Sequence, residues 1–157
     1  MAILLYRVDD RLIHGQVILG WGRPLGIDFI LLVDDQVRES GWEQDLYRMG
    51  VPAGIEVIFL SRSEAALAVP RYEADDRRGI VLAGEIGAMS ELNRAGVAIP
   101  GVNLGGIHHK PGRIERLPYL YLTDEELKEL DALQRAGVEV SAQDLPTANP
   151  VPLRSLA

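Results

Sequence analysis

The chain contains no cysteine. That absence excludes a disulfide scaffold, a thiolate nucleophile and a cysteine-bound zinc together. It fits a reducing cytosol. Long hydrophobic runs are missing too, since none approaches the ~20 residues that a membrane span requires. The opening "MAILLYRVDD" has too short an apolar run for a secretory signal, and no basic segment precedes it. Positive charge is in deficit: 16 Lys and Arg face 23 Asp and Glu, for a formal charge of −7. Nonspecific binding to nucleic acid or to an anionic membrane is therefore not expected. Histidine is scarce, with only His14, His108 and His109 available for imidazole chemistry.

What is present suits a globular protein. A length of 157 residues with 47% hydrophobic and 25% charged residues fits one domain with its own core. A chain of this size buries roughly 70% of the surface exposed when unfolded. Short, nearly continuous apolar runs recur at 2–8, 27–33, 55–60 and 79–83, as expected of strands buried on both faces of a parallel sheet. "VNLGG" (102–106) is a fifth candidate. Helical patterns lie between them. Val17, Trp21 and Leu25 share one helix face, and Trp42, Leu46 and Met49 share another. Ser61 with Glu64, and Thr123 with Glu126, have capping-box spacing. The helix after Thr123 carries Leu127, Leu130 and Leu133 as its apolar stripe and stops at Gly137. Alternation of strand and helix predicts an α/β fold: an open, mostly parallel central sheet with helices on both faces. Pro111 and Gly112 predict a late hairpin across 107–122, and "VEVSAQ" (138–143) alternates like an edge strand. The proline-marked tail at 146–157 is expected to lie over the surface of a single domain, 1–157.

The densest chemistry lies in "YRVDDRLIHGQV", residues 6–17. Ligands in open α/β sheets gather beyond the carboxyl ends of the strands. The first strand should end near Val8 and the next helix begin near Gly15 or Gln16, so His14 falls on the connecting loop. A helix N-terminus there stabilises an anion. A neutral imidazole is a competent nucleophile. Arg11, three residues before His14, can hold phosphate oxygens in a two-pronged geometry. Asp9 or Asp10 can accept an N–H from the ring and so choose which nitrogen is free to attack. Gly15 has no Cβ, so a bulky anion can approach the backbone beside Gln16. The chemical reading is a histidine that accepts a phosphoryl group and passes it on.

The segment "RVDDRLIHGQV" resembles the signature loop of the IIB component of mannose-, fructose- and sorbose-type sugar phosphotransferase systems. "LLVDDQV", "GVPAGIEVIFLS", "GVNLGGIHHKPGR" and "YLTDEELKELDALQRAGVEV" resemble later segments of that family in the same order. The resemblance implies an α/β fold and a phosphohistidine at His14, loaded by the IIA component. It further implies transfer to a sugar held by the membrane components IIC and IID, with Arg11 supporting that transfer. No metal or organic cofactor is implied, and the location is the cytoplasm, at the inner face of the membrane through IIC and IID. Two departures stand out. Gly20, Gly22 and Pro24 make the first helix short or irregular, and the C-terminus is shorter than in many members.

Weaker candidates surround this loop. Asp34 and Asp35 end the second strand and can shape a pocket, although a solvated turn explains them as well. Ser61 can touch phosphate, but its capping role is sufficient. Gly105 and Gly106 can present N–H groups to phosphate. His108 can line the pocket, while His109, Arg113 and Arg116 read as surface residues. Adjacent His108 and His109 do not point the same way, which disfavours a metal site. The competing functional readings are a regulatory phosphocarrier without transport, and a nucleotide-binding module. The latter lacks both a G-x-G-x-x-G turn and a P-loop. The sugar is not legible, and the oligomeric state is open, a homo-oligomer included.

Overall fold

The structure is a computed structural model, and it describes residues 2–157. Strands β1 (Ile3–Val8), β2 (Phe29–Val33), β3 (Glu56–Leu60), β4 (Gly79–Ala83), β5 (Gly101–Leu104), β8 (Glu139–Ala142) and β9 (Val151–Pro152) form one sheet in the order β3-β2-β4-β1-β5-β8-β9. All neighbours are parallel except β8 and β9. A separate antiparallel hairpin comprises β6 (Ile114–Leu117) and β7 (Leu120–Leu122). The α/β fold expected from the alternating pattern is therefore observed, and the late hairpin with it.

Continuous apolar runs form these strands because successive side chains feed opposite faces. In β2, Phe29, Leu31 and Val33 enter one core, while Ile30 and Leu32 enter the other. In β4, Val81 and Ala83 separate from Ile80 and Leu82 in the same way. The first core is covered by α4 (Arg62–Glu73), α5 (Ile86–Arg94) and α6 (Asp124–Arg135). The second is covered by the segment from Leu12 to Ile27, together with Val37 and Tyr47. That segment holds a π-helix (Gln16–Gly22) running into a single turn, α1 (Arg23–Leu25), so the irregularity expected from its glycines and proline is present. Gly26 ends it with φ 63°, the left-handed conformation that glycine adopts without penalty.

Local signals fix the other helix ends. Both capping boxes are formed: Ser61 Oγ accepts from the Glu64 N–H at 3.1 Å, and Thr123 Oγ1 accepts from the Glu126 N–H at 3.0 Å. In each box the glutamate returns a bond to the N-cap N–H. Gly137 follows α6 with φ 95°, the expected stop.

Tertiary contacts modify the pattern in four places. The helix that carries Trp42, Leu46 and Met49 is α3 (Gly41–Met49), and a separate short turn, α2 (Asp35–Arg38), precedes it. The stripe of Trp42, Leu46 and Met49 on α3 faces solvent. Helix α4 continues through Pro70 to Glu73, because its last turn is tied down. Tyr72 packs on Phe29 at 5.1 Å, and Glu73 accepts from Ile3 N–H and the Tyr6 hydroxyl, both at 3.0 Å. Strand β8 is not an edge, since the tail returns to pair β9 against it. The tail does not simply lie over the surface, because Leu153 and Leu156 bury their side chains in the first core. Pro152 sits in that two-residue outer strand, where a missing N–H costs least.

The order of strands positions the site. From β1 the chain crosses towards β2, whereas from β5 it crosses the other way to β8. The adjacent carboxyl ends of β1 and β5 therefore form a switch point, where connections diverge and leave a crevice.

Candidate functional site

At this switch point Asp9 directly follows β1, and its carboxylate is fully buried. Backbone bonds fix its place: Asp9 N–H donates to Ala83 O at 2.9 Å and Gly105 N–H donates to Val8 O at 2.7 Å. The next residues form a turn closed by Leu12 N–H to Asp9 O at 3.0 Å. Leu12 adopts φ 58°, which is uncommon for a branched side chain and costs on the order of 1 kcal/mol or more. The conformation persists because Leu12 and Ile13 are both anchored in the second core. It turns Arg11 and His14 back onto the same carboxylate.

Arg11 grips Asp9 in a fork, with Nε to Oδ1 at 3.1 Å and Nη2 to Oδ2 at 3.0 Å. The Arg11 N–H adds a bond to Oδ1 at 3.2 Å, and the Gly106 N–H adds one to Oδ2 at 3.3 Å. His14 Nε2 lies 3.3 Å from Oδ2. Burial pushes the Asp9 carboxyl up, but His14 and Arg11 outweigh it and hold the group well below the usual carboxylate range. The bond to Asp9 in turn raises Arg11. His14 is 18% exposed. Its Nε2 is buried beside Asp9, and neither ring nitrogen has a hydrogen-bond partner in good geometry among the described residues. Gly15 is exposed, with open space where a Cβ would stand, so the approach to the loop is clear.

Beneath Asp9 lies Arg7, fully buried, which sequence reasoning missed. Its Nη1 donates to Asn103 Oδ1 and to Gln143 O, the latter at 2.8 Å, and Nη2 reaches Asp144 O at 3.2 Å and Asp9 Oδ2 at 3.5 Å. Its guanidinium carbon lies 4.8 Å from the Trp21 ring centroid, and Trp21 Nε1–H donates to Asp144 O at 3.0 Å. Burial pulls Arg7 down, against the opposing charges of Asp9 and Asp144. The available signal was an arginine inside "AILLYRV", since a charge in a two-sided buried strand demands partners. Gln16 ties the layers together, accepting from Arg11 Nη2 at 2.7 Å and donating to Asp144 Oδ1 at 3.0 Å.

A buried carboxylate that lies against one arginine and one histidine at a strand end places a cation and an imidazole side by side, where an anion can be held next to a nucleophile. Comparisons with known proteins agree. The family model "PTS system sorbose subfamily IIB component" matches residues 3–157. The chain belongs to this phosphotransferase-system IIB family. It is 32% identical over 155 residues to the N-acetylgalactosamine-specific phosphotransferase enzyme IIB component 2 of Escherichia coli (strain K12), covering 98% of each chain. It is 26% identical over 149 residues to the mannose-specific EIIAB component of the same strain, spanning 46% of that longer protein. The IIBSor domain of the sorbose permease from Klebsiella pneumoniae superposes with a TM-score of 0.90 at 27% identity, over 99% of this chain and 96% of that one. As a IIB component, the chain is a phosphotransferase-type part of sugar transport machinery. Among its described residues no helix is long and apolar enough to cross a membrane.

The remaining candidates of this IIB component divide into two groups. Asp9, Arg11, His14, Gly15, Gln16, Gly105 and Gly106 meet at the switch point, with Asp10 and His108 beside them. Asp10, expected to orient His14, instead engages His108, with Oδ1 at 2.6 Å from Nδ1. Alternation after β1 sends Asp9 inward and Asp10 outward, so Asp9 alone faces the His14 ring. Gly105 and Gly106 do not offer free N–H groups, because both are bonded to Val8 O and Asp9 as above. Their small size serves packing instead. A Cβ at Gly105 would stand 2.6 Å from Asp9 Oδ2, and one at Gly106 would stand 3.1 Å from Arg11 Nη2.

The second group stays apart. Asp34 caps α2 through Val37 N–H at 2.9 Å, Asp35 accepts from Arg62 N–H at 2.8 Å, and Ser61 caps α4. All three have structural partners, and none bonds to Arg11 or His14. Arg113 and Arg116 are not solvated surface charges. Arg113 forks onto Glu126 at 3.0 Å and Arg116 reaches Asp124 at 3.2 Å, tying the hairpin to α6.

Proposed function

We propose that this IIB component carries a phosphoryl group on His14, receiving it from a IIA component and donating it to a sugar held by membrane IIC and IID partners. The observation that carries this reading is the shared carboxylate of Asp9. It sits 3.3 Å from His14 Nε2 while it fixes the Arg11 fork. A carboxylate facing Nε2 favours the tautomer with its proton there. Nδ1 then has the lone pair and is the proposed phosphoryl acceptor.

In loading, the bond from the IIA phosphohistidine nitrogen to phosphorus breaks as the Nδ1–phosphorus bond forms, and the electron pair returns to the donor ring. Phosphoryl transfer depends chiefly on in-line placement and charge stabilisation. Arg11 supplies the charge. Its Nε and Nη2 are engaged by Asp9 and Gln16, while Nη1 has no partner among the described residues and is free for a phosphoryl oxygen. In discharge the leaving ring is that of His14, and its Nε2–H beside Asp9 leaves it neutral once the Nδ1–phosphorus bond breaks. A partly exposed ring suits a job in which two proteins must reach one atom. The fusion of IIA and IIB in the mannose-specific EIIAB relative supports IIA as donor. The protein works in the cytoplasm, docked on the inner face of the membrane through its partners.

The experiment is incubation with radiolabelled phospho-IIA followed by mapping of the label. Acid-labile phosphate is expected on His14. His14→Ala should take no label, and Arg11→Ala should accept label yet discharge it poorly. Normal labelling of His14→Ala sinks the assignment.

A further inference from the structure

Asp10 and His108 form a pair that the carrier chemistry above leaves unused. Asp10 Oδ1 meets His108 Nδ1 at 2.6 Å, and Oδ2 accepts the His108 backbone N–H at 2.7 Å. When Nδ1 donates to the Asp10 carboxylate, Nε2 of the ring is left with its lone pair. The remaining anchors are equally definite. Asp10 N–H donates to Gly106 O at 2.9 Å, and Arg113 Nη1 donates to His108 O at 2.9 Å while its fork holds Glu126. The side chain is nevertheless 67% exposed, and Nε2 has no partner among the described residues. A ring fixed at one nitrogen and open at the other has the arrangement of a general base held by a carboxylate.

Its position matches that role. His108 lines an open pocket of about 310 Å³ together with Arg11, Gln16, Tyr119, Tyr121 and Asp144. Arg11, the group proposed to hold the phosphoryl oxygens, lines this pocket and His14 does not, so Arg11 joins the reacting ring to the pocket, and a hydroxyl presented there by the membrane partners meets the phosphoryl clamp and the free Nε2 together. The charged and titratable groups around the ring are Asp10 and Arg11 from the β1 loop, Asp144 across the pocket, Tyr119 and Tyr121 from the hairpin, and Arg113 beneath the carbonyl. His109 next along the chain turns towards Tyr121, with its ring centroid 5.8 Å away.

We propose that His108 is the general base for the acceptor hydroxyl, with Asp10 as its positioning residue. This rests on the phosphocarrier reading of His14. In the discharge step the hydroxyl oxygen forms a bond to phosphorus while the phosphorus–Nδ1 bond of His14 breaks and its electron pair returns to the ring. The hydroxyl proton passes to His108 Nε2 and then to solvent. Loading requires no such base, because phosphorus moves between two imidazole nitrogens and neither bears a proton at the reacting atom. The two half-reactions should therefore respond differently to loss of His108.

The test uses the full chain as wild type, His108→Gln and Asp10→Asn. Each is loaded from radiolabelled phospho-IIA, then discharged with membranes containing the IIC and IID partners. D-mannose, D-fructose, L-sorbose and N-acetylgalactosamine serve as probe acceptors, and the fastest wild-type acceptor is used for the comparison. His108→Gln should load within about twofold of wild type but discharge about 10-fold or more slowly at saturating sugar. The limb of the discharge profile that rises with pH should disappear with it. Asp10→Asn should lose discharge in the same direction and less completely. Wild-type discharge by His108→Gln overturns the proposal, as does equal slowing of both half-reactions, which marks structural damage. A wild-type discharge rate that falls as pH rises overturns it too, because the ring then acts as a cation. Failure of the wild type to label at His14 defeats the carrier reading instead, and is seen before any discharge is measured.

Discussion

Asp9→Asn is the most informative single perturbation of this molecule. The carboxylate is fully buried and accepts from the backbone and side chain of Arg11, from Gly106 N–H, and from Arg7 at 3.5 Å. Asparagine keeps the shape but removes the charge, and turns an amide NH₂ towards groups that are all donors. Arg7 remains buried with no opposite charge beside its guanidinium except Asp144, whose contact is through its backbone carbonyl. Removing one partner of a buried pair typically costs about 3–5 kcal/mol. Chemical denaturation at neutral pH should show a loss of that order. At about 2–4 °C per kcal/mol for a domain of this size, the melting temperature should fall by about 6–20 °C. The pH dependence follows from the depressed Asp9 carboxyl. A group lowered in the fold contributes stability that is fully present above its unfolded value, about 3.9. That contribution is lost as pH falls through the folded value. The wild-type advantage over Asp9→Asn should thus be constant from neutral pH to about pH 4 and shrink below it. A loss under about 1 kcal/mol at neutral pH, or an advantage that grows on acidification, would refute the reasoning.

Three further outcomes test other parts of the structure. Gly105→Ala drives a Cβ into the Arg7 guanidinium and to within 2.6 Å of Asp9 Oδ2. It should cost about 1–3 kcal/mol by overpacking and slow loading of His14, read by denaturation and by label uptake. Thr123→Ala removes the bond to Glu126 N–H at 3.0 Å and should cost about 1 kcal/mol, measured by denaturant midpoint, with phosphoryl transfer unchanged. Leu156→Ala should lose about 2 kcal/mol or more if the tail is part of the core. A change within about 0.5 kcal/mol would instead leave the tail a surface strand.

Much of the architecture was legible from the chain alone, since its signals are local. Runs such as "IDFILLV" and "GIVLA" specify strands buried on two faces, because a two-residue period places alternate side chains in each core. Ser61 with Glu64, Thr123 with Glu126, and Gly137 specify helix ends through bonds only three or four residues long. The loop that brings Arg11 and His14 to the start of a helix was visible for the same reason. The division of labour between Asp9 and Asp10 was not. Neighbouring carboxylates look alike in sequence, and only the way β1 ends sends one inward to His14 and Arg11 and the other out to His108. Arg7, Asp144 and the packing roles of Gly105 and Gly106 were equally hidden, because their partners come from β5 and from the turn after β8. The continuation of α4 through Pro70 and the burial of Leu156 likewise depend on distant contacts that outweigh local preference. Local bonding chose the elements and the reactive loop. The register of β1 against β5, and the closure of the tail over β8, decided which charged groups meet, because electrostatic partnership depends on distance in space and not along the chain.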